Sequence, residues 1–317
     1  MRFVVSFALF LVVLGVDAQG FPNRPIKVVV PSPPGGPPDL IIRMLTSNLS
    51  AQLGQPVVVE NRPGAGGIVG TAYVAKQPAD GYTWLFTTAS HVNTPPFNEN
   101  VPFDPVKDFA HVTLAAQNFG QALTVPGNSS FKSVKELIEH ARKNPGKLNY
   151  GSAGIGTASH IPAEVMKAMA GVDITLVPYK GVAEAMNDLF AGRIDLFFVG
   201  TQIAAQHHEK TGKARVLALT GAKRWKGLAD VPTMQELGFQ GYNLINWFGV
   251  WLPEGAPQEI VSRLHAEMVK ALKDPKVLQQ FEAQGLEAVG MPPAEFARFV
   301  AKESAFINDL ARRIQKK

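Results

Sequence analysis

The sequence predicts an α/β fold built from two lobes with largely parallel sheets. Short apolar, β-branched runs alternate with longer amphipathic stretches along the chain, an order typical of strands covered by helices. The chain has 317 residues, of which 46% are hydrophobic, and this is enough for two domains with real cores. No low-complexity linker separates the halves, so the pattern allows strands that cross between two lobes.

Apolar runs predict the strands, and amphipathic stretches predict the helices. Val28-Val29-Val30 is apolar without alternation, as in strands that are covered on both faces. Ser133 precedes Glu136 at capping-box spacing, and Pro257 and Pro293 stand near the starts of the last long helices. The predicted strands are Ile26–Val30, Val57–Val59, Thr83–Thr87, Val112–Ala115, Gln121–Val125, Ile174–Val177, Leu196–Val199, Val216–Leu219 and Phe248–Leu252. The predicted helices are Pro38–Leu53, Ser133–Lys143, Ser159–Ala170, Val182–Ala191, Pro257–Lys273 and Pro293–Ile314.

The N-terminus predicts export. A short basic start, Met1-Arg2, precedes an apolar run from Phe3 to Val16, and small residues stand at Val16 and Ala18. This order is typical of a secretory signal peptide over residues 1–18, with a mature protein that starts at Gln19. The apolar run of about 14 residues is too short to span a bilayer, and no cysteine follows it for a lipid anchor. We therefore expect a periplasmic protein that is not embedded in the membrane.

Composition excludes several classes of function. The chain has no cysteine, which rules out disulfides, thiol catalysis and zinc–thiolate sites. Its net charge is +5, but the basic residues form no block interleaved with aromatics, so no nucleic-acid partner is expected. A basic surface attracts anionic solutes. Adjacent histidines point to different sides of a helix, so His207-His208-Glu209 predicts a solvated helix face and no metal site.

A first glycine turn lies in VPSPPGGPPD, residues 30–39. A buried strand runs into Gly35-Gly36, and a helix follows at once. In open α/β sheets, ligands bind beyond the carboxyl ends of strands. A glycine turn before a helix offers backbone N–H groups and a positive dipole end, which suit a carboxylate or a phosphate. An ordinary strand–helix turn has the same pattern, so both interpretations stay open here.

A second such turn lies in YGSAGIGTASH, residues 150–160. Its glycines allow close approach of the backbone to a ligand, and Ser152, Thr157 and Ser159 add hydroxyl groups. The ring of His160 adds a donor or acceptor, although a histidine at this position, taken alone, is more typical of a helix cap or a core residue than of a ligand contact. Two turns of this kind in separate halves of the chain predict a ligand cleft between the lobes.

Motifs for cofactors and catalysis are absent. The glycines of RPGAGGIVG, residues 62–70, do not have the spacing of a dinucleotide-binding fingerprint, and no phosphate loop occurs in the chain. A structural turn is predicted there, and no cofactor is expected. Tyr150 stands where a nucleophile elbow around Ser152 needs a glycine.

Several motifs, in a fixed order, resemble one known family. They are PIKVVVP followed by PPGG and Asp39, LGQPVVVENRPGAGG at 53–67, ADGYT at 79–83, DPVKDF at 104–109, KNPGKLNYGSAGIGTASH at 143–160, VPYKG at 177–181 and DVPTMQELG at 230–238. Together they resemble the substrate-binding proteins of tripartite tricarboxylate transporters, often called Bug receptors. The resemblance extends from about Pro25 to Phe299.

The resemblance implies a type II periplasmic-binding fold without catalysis or metal. Two α/β lobes, joined by crossing strands, close over a ligand. Residues 19–119 and 223–317 are expected in the first lobe, and residues 120–222 in the second. Members typically hold a small organic acid through loop backbone groups, hydroxyls and water, and deliver it to membrane transporter subunits. We expect a monomer.

The resemblance also implies the residues of the site. In the first lobe they are Ser32, Pro34, Gly35, Gly36, Pro37 and Asp39, and in the second Gly154, Gly156, Thr157, Ser159 and His160. Thr88, Ser90, Val199, Gly200 and Thr201 are further residues expected to line the cleft.

The chain departs from the family pattern in the first loop and at Val199, after the Phe-Phe strand. Where the family often has Phe-Ala-Pro-Gly-Gly-Ser-Thr-Asp, this chain has Ser32 to Asp39, reading SPPGGPPD. Two hydroxyls and an aromatic wall are lost, and the prolines remove backbone donors. Val199 replaces an acidic residue frequent in the family, so an amino-acid ligand is disfavoured. A different acid, aromatic or less charged, is favoured.

The sequence allows two other functions beside that of a transport receptor. One is an exported sensor domain that signals through a partner kinase, which genomic neighbours would distinguish. The other is an exported α/β hydrolase, which would turn its substrate over, whereas a receptor is only stabilised by its ligand.

Overall fold

The computed structural model describes residues 20–208 and 211–315. The predicted signal peptide at residues 1–18 and the predicted mature start at Gln19 lie outside the described residues, as does Glu209. Within the part of the chain that the structure describes, no helix combines the length and hydropathy needed to span a bilayer.

Six strands form the first sheet, in the order β11-β4-β10-β3-β1-β2. β1 pairs in parallel with β2 and with β3, so that Val28 lies beside Val59 on one side and Trp84 on the other. β10 runs antiparallel to both β3 and β4. The strands are β1 (Ile26–Val30), β2 (Val57–Asn61), β3 (Thr83–Thr88), β4 (Phe109–Asn118), β10 (Trp247–Pro253) and β11 (Leu286–Ala288).

Five strands form the second sheet, in the order β7-β6-β8-β5-β9. β6 is parallel to β7 and β8, and β5 is antiparallel to β8 and β9. In each sheet, successive strands along the chain are added first on one side of a parallel strand and then on its other side. We call the place where the side changes the reversal point; it lies between β1 and β3 in the first sheet and between β6 and β8 in the second. The carboxyl ends at such a point form a ligand crevice. The strands are β5 (Gln121–Pro126), β6 (Asn149–Ser152), β7 (Thr175–Pro178), β8 (Leu196–Gly200) and β9 (Ala214–Leu219).

Helices cover both sheets. Ser133 caps α4 by accepting from the backbone N–H of Glu136 at 3.2 Å, as its spacing predicts. Asp274 begins α9 by accepting from the N–H groups of Lys276 and Val277. The helices are α1 (Pro37–Leu53), α2 (Ile68–Ala75), α3 (Ser90–Asn93), α4 (Val134–Lys143), α5 (Ile161–Ala170), α6 (Val182–Phe190), α7 (Thr201–His208), α8 (Gln258–Leu272), α9 (Pro275–Ala283) and α10 (Pro293–Gln315).

The predicted α/β architecture with two lobes is confirmed, and so is each predicted strand and helix, with small shifts of the ends. The sequence patterns did not predict β6, β11, α2, α3 or α9, and they indicated only the end of α7, at His207-His208. β6 reads NYGS and has no apolar run, and β11 has only three residues, so neither carries a strand pattern. α2 follows directly from the predicted turn at residues 62–70, whose glycines hide the helix start.

Each sheet has its own hydrophobic core, and α10 joins the two. Phe296 and Val300 of α10 pack against the first sheet. About two to three turns later, Ile307 and Leu310 pack into the core of the second sheet. The last helix therefore lies across both lobes.

The segment after β9 packs with the second sheet. Leu228 and Val231 lie in one of its core clusters, and Met234 and Tyr242 lie in another. The N–H of Met234 donates to the carbonyl oxygen of Leu219 at 2.8 Å. These contacts favour a lobe boundary later than residue 222, and the division of the chain into lobes stays a prediction.

The chain crosses between the sheets at two adjacent connections. Thr220 Oγ1 accepts from the N–H of Gln121 at 2.7 Å and donates to the carbonyl oxygen of Leu244 at 2.5 Å. The N–H of Asn118 donates to the carbonyl oxygen of Asn246 at 2.9 Å. These bonds tie the crossing segments to one another at the base of the cleft.

Candidate ligand-binding site

A cavity of about 320 Å³ lies between the two lobes, beside the reversal points of both sheets. Its wall on the first-lobe side is formed by Gly35, Pro37, Leu40, Ile41, Met44, Phe248, Gln284, Gly285 and Leu286. The crossing segments contribute Asn118, Gln121 and Asn246, and the second lobe contributes Ala158, Gly200, Thr201, Gln202 and Ile203.

The buried carboxylate of Asp39 stabilises the first-lobe loop. It accepts from the N–H of Gly35 at 2.8 Å, from Arg43 Nε at 2.9 Å and from Asn61 Nδ2 at 3.0 Å. Burial by itself would raise the pKa of Asp39, but the hydrogen bonds from Gly35, Asn61 and Arg43 outweigh burial and hold that pKa below its usual range. Asp39 therefore positions the loop, and its oxygens are engaged by the protein itself.

The first-lobe turn offers few free backbone donors to an anion. The N–H of Gly35 donates to Asp39, and the N–H of Gly36 donates to the carbonyl oxygen of Pro33 at 3.3 Å. Pro37 and Pro38 open α1 without any N–H. Gly35 and Pro37 line the cavity, while Ser32, Pro34 and Gly36 belong to the same loop outside its wall. The geometry thus favours the interpretation of this turn as a structural connection.

The hydroxyl groups of the second-lobe loop bind the loop itself. Ser152 Oγ and Thr157 Oγ1 donate to the carbonyl oxygen of Gly154, at 2.8 and 2.7 Å. Ser159 Oγ lies 2.9 Å from Thr157 Oγ1 and accepts from the N–H of Ala153 at 3.0 Å. The backbone between them turns through positive φ at Gly154 and Gly156, which glycine adopts without strain. The result is a compact loop that presents Ala158 to the cavity.

His160 packs beneath this loop. Its Nδ1 accepts from the N–H of Gly156 at 3.3 Å, and its ring meets the edge of Phe97 at 6.0 Å between centroids. Burial lowers the pKa of His160, an effect opposed by nearby Glu164 and assisted by Lys167. These contacts are those of a core histidine, one of the two interpretations that the sequence leaves open.

The lobes touch on two sides of the cavity. On one side, Phe97 meets His160 as described, and a Cβ at Gly156 would lie 3.3 Å from the carbonyl oxygen of Asn93. On the other, Gln202 Nε2 donates to the carbonyl oxygen of Ala283 at 2.7 Å. The cavity is therefore narrow, with both lobes within reach of one small molecule.

Of the five remaining predicted residues, two line the cavity and three lie outside its wall. Gly200 and Thr201 line the cavity at the start of α7. Thr88 and Ser90 lie at the end of β3 and bind one another, with 2.9 Å between their hydroxyl oxygens. Val199 is buried in a core cluster of the second sheet.

The apolar part of the wall was not predicted. Leu40, Ile41 and Met44 lie on the first turns of α1, and Phe248 lies on a strand that arrives from far along the sequence. The sequence of α1 contained one indication of this wall. Leu40 and Ile41 are adjacent, so they widen the apolar face of the helix beyond the stripe that packs on the sheet.

The predicted solvated face at the end of α7 is wrong for His207. Its ring lies 4.7 Å from that of Phe190, so the side chain packs on α6. Among the described residues, no group of three or more His, Asp or Glu side chains is placed to hold a metal ion.

Comparison with known proteins agrees with the motifs and the fold. Residues 41–315 match the sequence model of a protein family, the tripartite tricarboxylate transporter family receptors. Protein BugT of Bordetella pertussis is 32% identical over 310 residues, which cover 95% of this chain and 94% of BugT.

Two similar solved structures come from Rhodopseudomonas palustris. Rpa4515 with adipate is 36% identical, with a TM-score of 0.78 over 92% of this chain and 97% of its own. MatC with bound malate is 28% identical, with a TM-score of 0.76 over 92% of this chain and 100% of its own. This chain belongs to the tripartite tricarboxylate transporter receptor family, the solute-binding group that its motifs resemble.

Proposed function

We propose that this protein binds a small organic acid in the cavity between its lobes, in the periplasm, and delivers the acid to a tripartite tricarboxylate-type membrane transporter. The observation that carries the proposal is the position of the cavity, at the reversal points of two facing sheets. Ligands bind at such points in open α/β sheets. Adipate and malate, named with two similar structures, are both carboxylates.

The base of the cavity supplies a donor for a carboxylate. Asn118 Oδ1 accepts from the N–H groups of Gly120 and Asn246, at 2.9 and 2.8 Å. These bonds fix the orientation of the amide and leave its NH₂ group as the end that can donate to a ligand. Gln121 and Asn246 add two more amides beside it. A hydrogen bond to a charged group contributes about 1.5–3 kcal/mol, so two or three such bonds hold a carboxylate without an ion pair.

A glycine pair provides a test of the cavity. Gly200 lines it, and a Cβ there meets no atom within 4 Å, so the leucine of Gly200→Leu would extend into open space. Gly181→Leu is the matched control, because Gly181 also precedes a helix, also has room for a Cβ, and lies outside the cavity wall.

We expect at least one acid of a mono-, di- and tricarboxylate panel to bind the ligand-stripped protein with 1:1 stoichiometry in calorimetry. Gly200→Leu should abolish that binding, and Gly181→Leu should keep it. A panel without any binder, or equal binding by Gly200→Leu, would contradict the proposal. Incubation with a methyl ester of the bound acid separates a receptor from a hydrolase, because a hydrolase would release the acid and methanol and a receptor would leave the ester intact.

Uptake tests delivery. Cells that carry Gly200→Leu should take up less of the labelled acid than cells that carry Gly181→Leu. Equal uptake together with an altered transcriptional response would instead support the sensor function.

A further inference from the structure

The cavity wall contains no ionisable side chain among the described residues that form it. Its polar groups are amides and one hydroxyl, from Asn118, Gln121, Thr201, Gln202, Asn246 and Gln284. Arg43, one turn from Leu40 on α1, is engaged by Asp39 and by Asn61 Oδ1, at 2.9 and 3.2 Å. A ligand in this cavity therefore meets neutral donors and acceptors, and no countercharge.

One part of the wall is apolar. Leu40, Ile41 and Met44 project from the first turns of α1, and Phe248 and Leu286 continue the surface on the first sheet. Ile203 faces them from the second lobe. We call these six residues the apolar wall.

Two members of the apolar wall are unusually exposed for large apolar side chains. Leu40 is 44% exposed and Ile203 is 38% exposed, and they come from opposite lobes. A hydrocarbon body between them removes apolar area from water on both of its faces. This gain is about 25 cal/mol for each Å² buried, and a polar body would not provide it.

The amides satisfy one carboxylate well and a second one poorly. Amides at the crossing segments can donate to one carboxylate. A second carboxylate at the apolar wall would find few further donors, namely Thr201 and Gln284, because Gln202 Nε2 already donates to the carbonyl oxygen of Ala283. An ionised group that loses hydration without hydrogen bonds or a countercharge is strongly disfavoured. The arrangement has one polar end and one apolar region.

From these features we infer that the ligand is an acid with a single carboxylate and an apolar hydrocarbon body, and that the apolar wall discriminates against diacids. This inference rests on the proposed function. It separates this chain from the two similar proteins whose structures carry adipate and malate, both diacids.

Acid pairs that differ by one carboxylate test the inference. Hexanoate with adipate, and benzoate with terephthalate, are titrated into the ligand-stripped protein by calorimetry. In at least one pair we expect the monoacid to bind tenfold or more tightly than its diacid, which corresponds to about 1.4 kcal/mol. Diacids that bind as tightly as their monoacids, or more tightly, would overturn the inference and leave the proposed function intact. Absence of binding by every acid of the pairs and of the wider panel would overturn both.

A charge on the apolar wall should reverse the preference. Leu40→Arg places a cation beside the hydrocarbon body at an exposed helical position where arginine is well tolerated. We expect the affinity ratio of diacid to monoacid to rise at least tenfold. Leu278→Arg is the matched control, because Leu278 has the same 44% exposure on α9 and lies outside the wall.

A neutral variant separates charge from shape. Leu40→Gln should weaken the monoacid without improving the diacid, because it removes apolar surface and adds no cation. An unchanged ratio in Leu40→Arg, or an equal rise in Leu278→Arg, would show that the apolar wall does not set the selectivity, and the inference would fall.

Discussion

Two loops follow corresponding strands of the two sheets, and they are stabilised in opposite ways. The first-lobe loop, residues 31–39, is tied by one buried carboxylate that collects hydrogen bonds from a backbone group, an amide and a guanidinium. The second-lobe loop, residues 152–160, is tied by three neutral hydroxyls and one imidazole, and each of these groups makes hydrogen bonds within the loop. Loops at corresponding positions of the two sheets are therefore stabilised by different kinds of side chain.

The largest expected effect comes from the single carboxylate. Asp39→Ala leaves the N–H of Gly35 without its acceptor and removes one of the two acceptors of Asn61 Nδ2, which keeps the carbonyl oxygen of Ser32. We expect a loss of about 2–4 kcal/mol in the free energy of unfolding, measured by urea denaturation. Affinity for the acid should fall as well, because the freed loop carries Gly35 and Pro37 of the cavity wall.

Asp274→Ala is the control for removal of a carboxylate that accepts backbone hydrogen bonds. Asp274 caps α9 and lies outside the cavity wall, so its removal should leave affinity unchanged. If Asp39→Ala unfolds no more easily than Asp274→Ala, the carboxylate of Asp39 is not the main tie of the first loop.

The second loop should respond less to any one change, because its network is shared. Thr157→Val removes a hydroxyl that donates to Gly154 within the loop, and we expect a loss of about 1 kcal/mol in stability with nearly unchanged affinity. The sequence alone allows another outcome, in which this hydroxyl binds the acid and affinity falls by tenfold or more. Calorimetry and urea denaturation on the same variant distinguish these outcomes, with Ser159→Ala as a second member of the network.

The smallest effect concerns pH. Burial lowers the pKa of His160, so the folded state keeps the ring neutral while the unfolded chain takes up a proton below about 6.5. The stability that neutral His160 contributes is present above pH 6.5 and is lost as pH falls, because a protonated Nδ1 can no longer accept from Gly156. The pKa of Asp39 is lowered from 3.8, so the contribution of Asp39 is lost only below that pH.

Between pH 7 and pH 5, hydrogen exchange corrected for its intrinsic rate should therefore quicken in residues 152–160 and stay constant in residues 31–39. His160→Gln should remove that difference between the loops. Faster exchange in residues 31–39 than in residues 152–160 as pH falls would contradict the roles given to Asp39 and His160.

The sequence is informative about the scaffold because burial leaves a continuous local pattern. Val28-Val29-Val30 and Leu196–Val199 read as covered strands, and both glycine turns lie at the carboxyl ends of parallel strands in the structure. The cavity wall is less accessible to prediction, since Phe248 and Leu40 meet only after the chain has crossed between lobes twice. Nor does local sequence show that Asp39 bonds to Asn61, 22 positions away. Its place in the ligand site stays a prediction.

The continuity of α10 has a mechanical consequence for the cleft. Its 23 residues span roughly 35 Å, with one part seated in each core. The helix restrains the relative motion of the lobes, because they can move apart only if α10 bends or if one part of it loses its packing in a core. We therefore expect a narrow range of opening, so that a solute enters a gap already close to its final width and little ordering of the protein opposes capture.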